Sequence, residues 1–225
     1  MASLFTLNVS GVFVALIFGV VILAFGLDMW WFFMAVLIDF LVLSAIATKA
    51  KDEVKMHMKG YEKTRSWKNV MANGLVPIVL VVVYFFNSLY FTVPTTVLVF
   101  AFVASVCAIT ADKFASEFGV LDGEPIMLLT MKPARKGRSG AVTWFGTLMG
   151  AVASFLIGLT AFAIGGSVII FVIVVVSGVF GNVVDSLFGY FEEKGIGNKY
   201  TSNLMCAIGG AALCSAVFLL LPSLL

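Results

Sequence analysis

Long apolar runs alternate with short polar stretches along this chain, and the runs have the length of membrane crossings. A helix needs about 20 predominantly apolar residues to traverse the hydrocarbon core of a bilayer. Segments 8–26, 29–48, 71–90, 93–111, 141–163, 166–190 and 203–223 meet that description. The first two are parted only around Gly26, Leu27 and Asp28, which predicts a tight hairpin. Tyr90 to Pro94 and Gly165-Gly166 predict similarly short turns. The pattern therefore predicts an all-α fold, a polytopic transmembrane helical bundle of about seven spans. The polar stretches leave no room for a soluble domain, so residues 1–225 read as one integral membrane domain.

Charge adds an orientation. All 14 Lys and Arg residues fall within 49–68, 113–138 and 194–199. The loops holding them, about 49–70, 112–140 and 190–202, join spans two and three, four and five, and six and seven. With seven spans all three loops emerge on one face. Cytoplasmic loops collect Lys and Arg, so the N-terminus is expected inside and the C-terminus outside. A hydrophobic content of 61% and a mean hydropathy of +1.10 exclude an ordinary soluble domain. A net charge of only +2 argues against nucleic acid as a partner. Segment 8–26 lacks a basic leader and a small-residue cleavage site, so it reads as a retained helix. Cys107, Cys206 and Cys214 lie inside spans without metal or disulfide spacing, and His57 sits among lysines in a loop.

Polar side chains inside the spans are the candidate chemistry, because lipid tolerates them poorly. Asp39, Asp112 and Asp185 are the ionisable ones, and Asn73, Asn87 and Asn182 add amides that need partners. Gly178, Asn182, Asp185, Ser186 and Gly189 recur at spacings of three and four and share one helix face. That stripe reads either as a small-residue packing seam or as a polar wall. Packing accounts for its glycines but not for Asp185. Near the end of span four, Asp112 and Ser116 stand about 40° apart on a helix, while Glu117 stands about 140° from Asp112. Asp112 is open to a metal role or to pairing with Lys113 or Lys132. Lys132, Arg135, Lys136 and Arg138, with Gly137, Ser139 and Gly140, make a run suited to phosphate, although the spacing is not that of a Walker loop. Beside Asp112, Glu117 and Asp185 this run suggests a Mg²⁺-assisted phosphate site, since hard carboxylate oxygens suit magnesium. Lys49, Lys51, Lys55, Lys59, Lys63 and Arg65 read mostly as the charge of a solvated helix. Asn73 points an amide into span three, and Asn203 either caps span seven or reaches the site.

Taken in order, several segments resemble one known family. They are Trp67 to Gly74, Ala111 to Gly119, Lys132-Pro133, Gly137, Ser139-Gly140, Gly178, Gly181, Asp185-Ser186-Leu187, Gly189 and Asn203. The set resembles the integral membrane family that contains plant phytyl-phosphate kinase and an uncharacterised animal transmembrane branch. Two departures are Lys113-Phe114, where the family often has Thr-Trp, and Asn182, where it often has Ser. The resemblance implies phosphoryl transfer from CTP or another nucleoside triphosphate to a polyprenyl monophosphate such as phytyl or geranylgeranyl phosphate. The expected roles are then Asp112, Glu117 and Asp185 as catalytic Mg²⁺ ligands. Lys132, Arg135, Lys136, Arg138, Asn73, Asn182, Ser186 and Asn203 would bind the phosphates of substrate and nucleotide. The expected setting is a prokaryotic plasma membrane with the site on the cytoplasmic face. A CDP-lipid synthase-like cytidylyltransferase would use a similar site. A small-anion or lipid transporter would use Asp39 and Asp185 along a pathway.

Overall fold

The apolar runs become helices nearly end for end. The computed structural model describes residues 7–50, 64–90, 92–121, 123–165 and 167–224. The lysine pattern over 51–63, with His57, lies outside them. The helices are α1 Val9–Phe25, α2 Trp30–Lys49, α3 Trp67–Tyr90, α4 Thr95–Gly119, α5 Trp144–Gly165, α6 Val168–Glu192 and α7 Lys199–Leu220. A single 3₁₀ turn, Leu27–Met29, makes the hairpin between α1 and α2. Asn8 caps α1 by accepting from the Gly11 amide, and Ser167 caps α6 by accepting from Ile170. Asn198 caps α7, accepting from the Tyr200 and Thr201 amides, so Asn203 one turn later is free for another use.

Six of these helices are long and apolar enough to cross a membrane, and α1 is shorter at 17 residues. Its two ends nevertheless meet the two ends of α3. The Asn8 amide donates to the Arg65 carbonyl at 3.0 Å, just before α3 starts. At the other end the Phe25 and Phe85 rings meet edge to face with centroids 5.2 Å apart. Helix α1 therefore covers nearly the same depth as α3. Exposed Trp30, Trp31 and Tyr90 mark one end of the bundle, and exposed Trp67 and Trp144 mark the other. Aromatic residues at both ends are what interfacial anchoring requires.

Helix α4 is the centre of the bundle. Every residue from 99 to 111 is buried, as expected of a helix that is apolar all round. It packs against α2, α3, α5, α6 and α7. Lipid supplies no hydrophobic force between helices, so close approach through small residues carries much of the association. Gly210 of α7 shows this: a Cβ there would lie 2.7 Å from the Ala104 carbonyl oxygen of α4. On other sides aromatic rings fill the space, with Phe33 and Phe102 4.7 Å apart. The three cysteines are free and buried.

Two features depart from the sequence reading. The helices run past the apolar segments at the charged end, so α4 continues to Gly119 where span four was expected to stop at 111. Lys113 and Glu117 pair one turn apart, which neutralises charge and lets the helix carry polar residues. Asp112, Ser116 and Glu117 consequently stand on a rigid helix and not in a loop. Residues 126–142 also contain a small antiparallel sheet: β1 Ile126–Met127, β2 Lys132–Pro133 and β3 Ala141–Val142, in the order β2-β1-β3. Strands of two residues carry no periodicity, so nothing in the sequence announces them.

Candidate functional site

At the charged end, α4, α6 and α7, the starts of α3 and α5, and the turn over 136–143 enclose a cavity of about 390 Å³. Asp112 of α4 and Asp185 of α6 face one another in it, close enough to interact directly. Arg65, Lys113 and Lys199 are near enough to act on the Asp112 charge, and Lys199 and Glu192 on that of Asp185. Among the described residues, two buried atoms in this cavity lack hydrogen-bond partners: the Asp185 Oδ1 acceptor and the Arg65 Nε donor. Buried polar groups are rarely left so. One asks for a cation or donor and the other for an anion.

The polar stripe on α6 turns out to serve both of its readings. Asn182, Asp185, Ser186 and Gly189 line the cavity, while Gly178 packs deeper against Cys107 of α4 and Ser154 of α5. The Ser186 hydroxyl donates to the Asn182 carbonyl at 3.2 Å. Asn73 and Asn203 also reach the cavity, joined by a bond from Asn203 Nδ2 to Asn73 Oδ1 of 2.8 Å. Pro77 of α3 has no amide hydrogen, so the Asn73 carbonyl also lacks its usual helical donor.

Glu117 lines the same cavity from another side of α4, as its angular offset from Asp112 requires. It forms an ion pair with Lys113, lies 3.8 Å from the Arg65 guanidinium, and accepts a 3.4 Å bond from Thr48 of α2. Its described partners make it an anchor for two cations at the cavity wall. Among the described residues no three His, Cys, Asp or Glu side chains converge on a metal position. Magnesium usually keeps several waters and takes one or two carboxylates together with substrate phosphates. Asp112 and Asp185, with the unsatisfied Oδ1, fit that requirement.

The basic run divides as well. Lys136 and Arg138 line the cavity, whereas Lys132 and Arg135 lie outside it, both exposed. Lys132 sits on β2, the strand separated from β3 by β1, and this carries it away from the helices. Arg138 Nε donates to Glu193 at 2.8 Å, and the Ser139 hydroxyl donates to Glu192 at 3.0 Å. Ser202 of α7 donates to the other Glu192 oxygen at 3.1 Å, so two adjacent carboxylates clasp the turn to α6 and α7. Gly140 completes the fit with φ +76°, where a Cβ would lie 2.5 Å from the Tyr190 amide nitrogen. Thr143 links α4 to α5, donating to the Gly119 carbonyl at 3.3 Å and accepting from the Gly146 amide at 3.0 Å.

Arg65, Lys113, Lys199, Thr143, Glu192 and Ser202 line the cavity although the sequence pattern does not single them out for it. One signal is available: Arg65 is the only arginine in the lysine-rich stretch 49–68, and a guanidinium suits buried anion recognition better than an ammonium. Asp39 lines neither this cavity nor the apolar one between α1, α2 and α3.

Residues 2–217 match the family described as "Integral membrane protein DUF92". An uncharacterised membrane protein of Methanocaldococcus jannaschii is 36% identical over 183 residues, covering 80% of this chain and 74% of that protein. Protein PGR of Arabidopsis thaliana is 26% identical over 180 residues, covering 69% of this chain and 62% of PGR. No solved structure matches the chain. With nearly the whole length matched and the multi-helix membrane architecture in place, this chain belongs to the DUF92 family of integral membrane proteins.

Proposed function

We propose that the protein transfers a phosphoryl group from a nucleoside triphosphate, CTP in the first instance, to an isoprenoid monophosphate. The observation that carries this reading is the pairing of two facing carboxylates with cations in one cavity at the charged end of a lipid-embedded bundle. Soluble phosphate chemistry would not need the bundle, and the unsatisfied Asp185 Oδ1 and Arg65 Nε supply an acceptor for a cation and a donor for a phosphate oxygen. The three basic loops support a cytoplasmic position for this end.

In the reaction an oxygen of the acceptor phosphate bonds to the γ-phosphorus. The bond from that phosphorus to the β,γ-bridging oxygen breaks, and the nucleoside diphosphate leaves with the electron pair. The acceptor is already an anion, so no general base is required. Phosphoryl transfer depends mainly on alignment and on spreading of charge. Asp112 and Asp185 would hold Mg²⁺, which supplies neutralisation of the nucleotide phosphates. Arg65, Lys113 and Lys199 bring cations to the inner wall, and Lys136 and Arg138 to the covering turn, where they offset charge on the transferred and leaving groups. Asn73, Asn182, Ser186 and Asn203 orient phosphate oxygens. Glu117 fixes Lys113 and Arg65 in place.

The test is turnover by the purified protein in nanodiscs with Mg²⁺, labelled CTP and geranylgeranyl or phytyl monophosphate. CDP and a prenyl diphosphate, both lost on chelation, are the expected products. Release of pyrophosphate with a cytidylyl-lipid would replace the kinase reading with a cytidylyltransferase. No nucleotide consumption with any prenyl phosphate would overturn both.

A further inference from the structure

A second cavity, of about 120 Å³, lies between α1, α2 and α3. Its walls differ sharply from those of the first: Gly19, Ile22, Met34, Leu41 and Val70 are typical, and polar groups enter only toward one end. That end is where it meets the other cavity, because Arg65 and Asn73 line both. A greasy groove and a cationic phosphate cavity thus share a wall made of a guanidinium and an amide. Along α2 the groove is lined from Met34 to Ala45, about 16 Å at 1.5 Å per residue. That is a length for a chain of several isoprene units.

We infer that this groove holds the hydrocarbon chain of the acceptor, with the phosphate seated past Arg65 and Asn73 in the polar cavity. The inference rests on the phosphoryl-transfer reading for the chemistry of the acceptor and adds where its chain lies. Three observations support it. The groove adjoins the site across two named residues. Its one guanidinium, Arg65, stands at the junction, where an amphiphile's anionic head must sit. Gly19 leaves room in the wall, since a Cβ there would meet only Met34 Cε, at 3.7 Å. The backbone of Arg65 is held by the start of α1: its carbonyl accepts from the Asn8 amide at 3.0 Å and a Cβ on Gly11 would lie 2.9 Å from it. The helix that walls the groove therefore also positions the head-group cation. A chain lying between α1 and α2 can arrive sideways from the bilayer, without leaving it.

The experiment uses the full chain in phosphatidylcholine nanodiscs and a geranylgeranyl monophosphate carrying a diazirine at its distal end. After irradiation the label is mapped by peptide mass spectrometry. It is expected on α1 and α2 near Gly19, Ile22 and Met34, and to fall at least fivefold when unlabelled geranylgeranyl monophosphate competes. Gly19→Phe should lower labelling at least fivefold and raise KM for geranylgeranyl monophosphate tenfold or more. In the same variant the ratio of kcat/KM for geranylgeranyl monophosphate over isopentenyl monophosphate, whose chain is too short to reach Gly19, should fall at least fivefold. Label on the outer faces of α5 to α7, no competable label, or equal labelling of wild type and Gly19→Phe would overturn the groove. Should Gly19→Phe not fold, the map on the wild-type protein decides alone. Label in the groove without formation of nucleoside diphosphate would remove the reaction and leave the groove standing. Turnover with the label elsewhere would do the reverse.

Discussion

Asp112 and Asp185 meet across the gap between α4 and α6, two carboxylates 73 positions apart in the chain brought face to face in one cavity. Like charges so placed in a bundle repel unless a proton or a cation lies between them. Asp185→Asn should therefore cost turnover at least about 100-fold, the scale for losing one preorganised electrostatic contact. The variant should still insert and purify as a single species, and Asp112→Asn should behave alike. The double variant should lose little more than either single one, because residues that act as a unit are not additive. Prenyl diphosphate formation measured in nanodiscs checks this, and wild-type-like activity of Asp185→Asn would refute the metal assignment.

Glu117 predicts a different signature. Removing one member of a buried ion pair leaves the other charge uncompensated, at a cost of about 3–5 kcal/mol. Glu117→Ala should accordingly lower stability by that order, with Lys113 and Arg65 left to repel one another. Adding Lys113→Met should recover part of the stability without restoring activity. Thermal or denaturant unfolding in detergent, run beside the turnover assay, separates the two effects.

The basic residues should split by position and not by charge. Arg65→Ala and Lys199→Ala each remove a cation from the cavity wall and should lower kcat/KM more than tenfold. Arg65→Lys should not rescue fully, since an ammonium lacks the guanidinium fork. Lys132→Ala and Arg135→Ala, both outside the cavity, should stay within about twofold of wild type, within about 0.4 kcal/mol in the barrier. Steady-state kinetics with the prenyl phosphate as variable substrate reads this out.

Two glycines in the covering turn make a paired test. Gly137 and Gly140 both have left-handed backbone, with φ of +78° and +76°. A Cβ at Gly137 meets nothing within 4 Å, whereas one at Gly140 meets the α6 backbone. Gly137→Ala should cost only the conformational penalty, about 1–2 kcal/mol. Gly140→Ala should cost more and also lift the turn that carries Lys136 and Arg138, lowering kcat. Equal effects would mean that the turn does not seat on α6 as described.

Much of the architecture is legible in the sequence, and the boundary of what is legible is physical. Apolar runs of bilayer length and the α6 stripe are local properties of the chain, and both carry over into the fold. The strands β1 to β3 do not announce themselves, because two residues define no period. The reach of α4 to Gly119 is hidden because hydropathy marks where lipid ends and not where a helix ends. Adjacency groups Lys132 and Arg135 with Lys136 and Arg138. The fold separates them: the sheet keeps the first pair out of the cavity, and the turn at Gly137 to Gly140 carries the second pair over it.

By itself the sequence determined that the chain lives in lipid, where its bilayer-length helices lie and at which end its polar chemistry collects, since hydrophobic length and charge act locally. Which polar groups meet was decided only by the packing of α2, α3, α5, α6 and α7 around α4. That packing set Asp112 against Asp185, tied Glu117 to Arg65 and Thr48, and joined Asn203 to Asn73 across 130 positions of chain. Those contacts depend on angular position around each helix and on small residues that admit close approach, and both take effect only when the helices lie side by side.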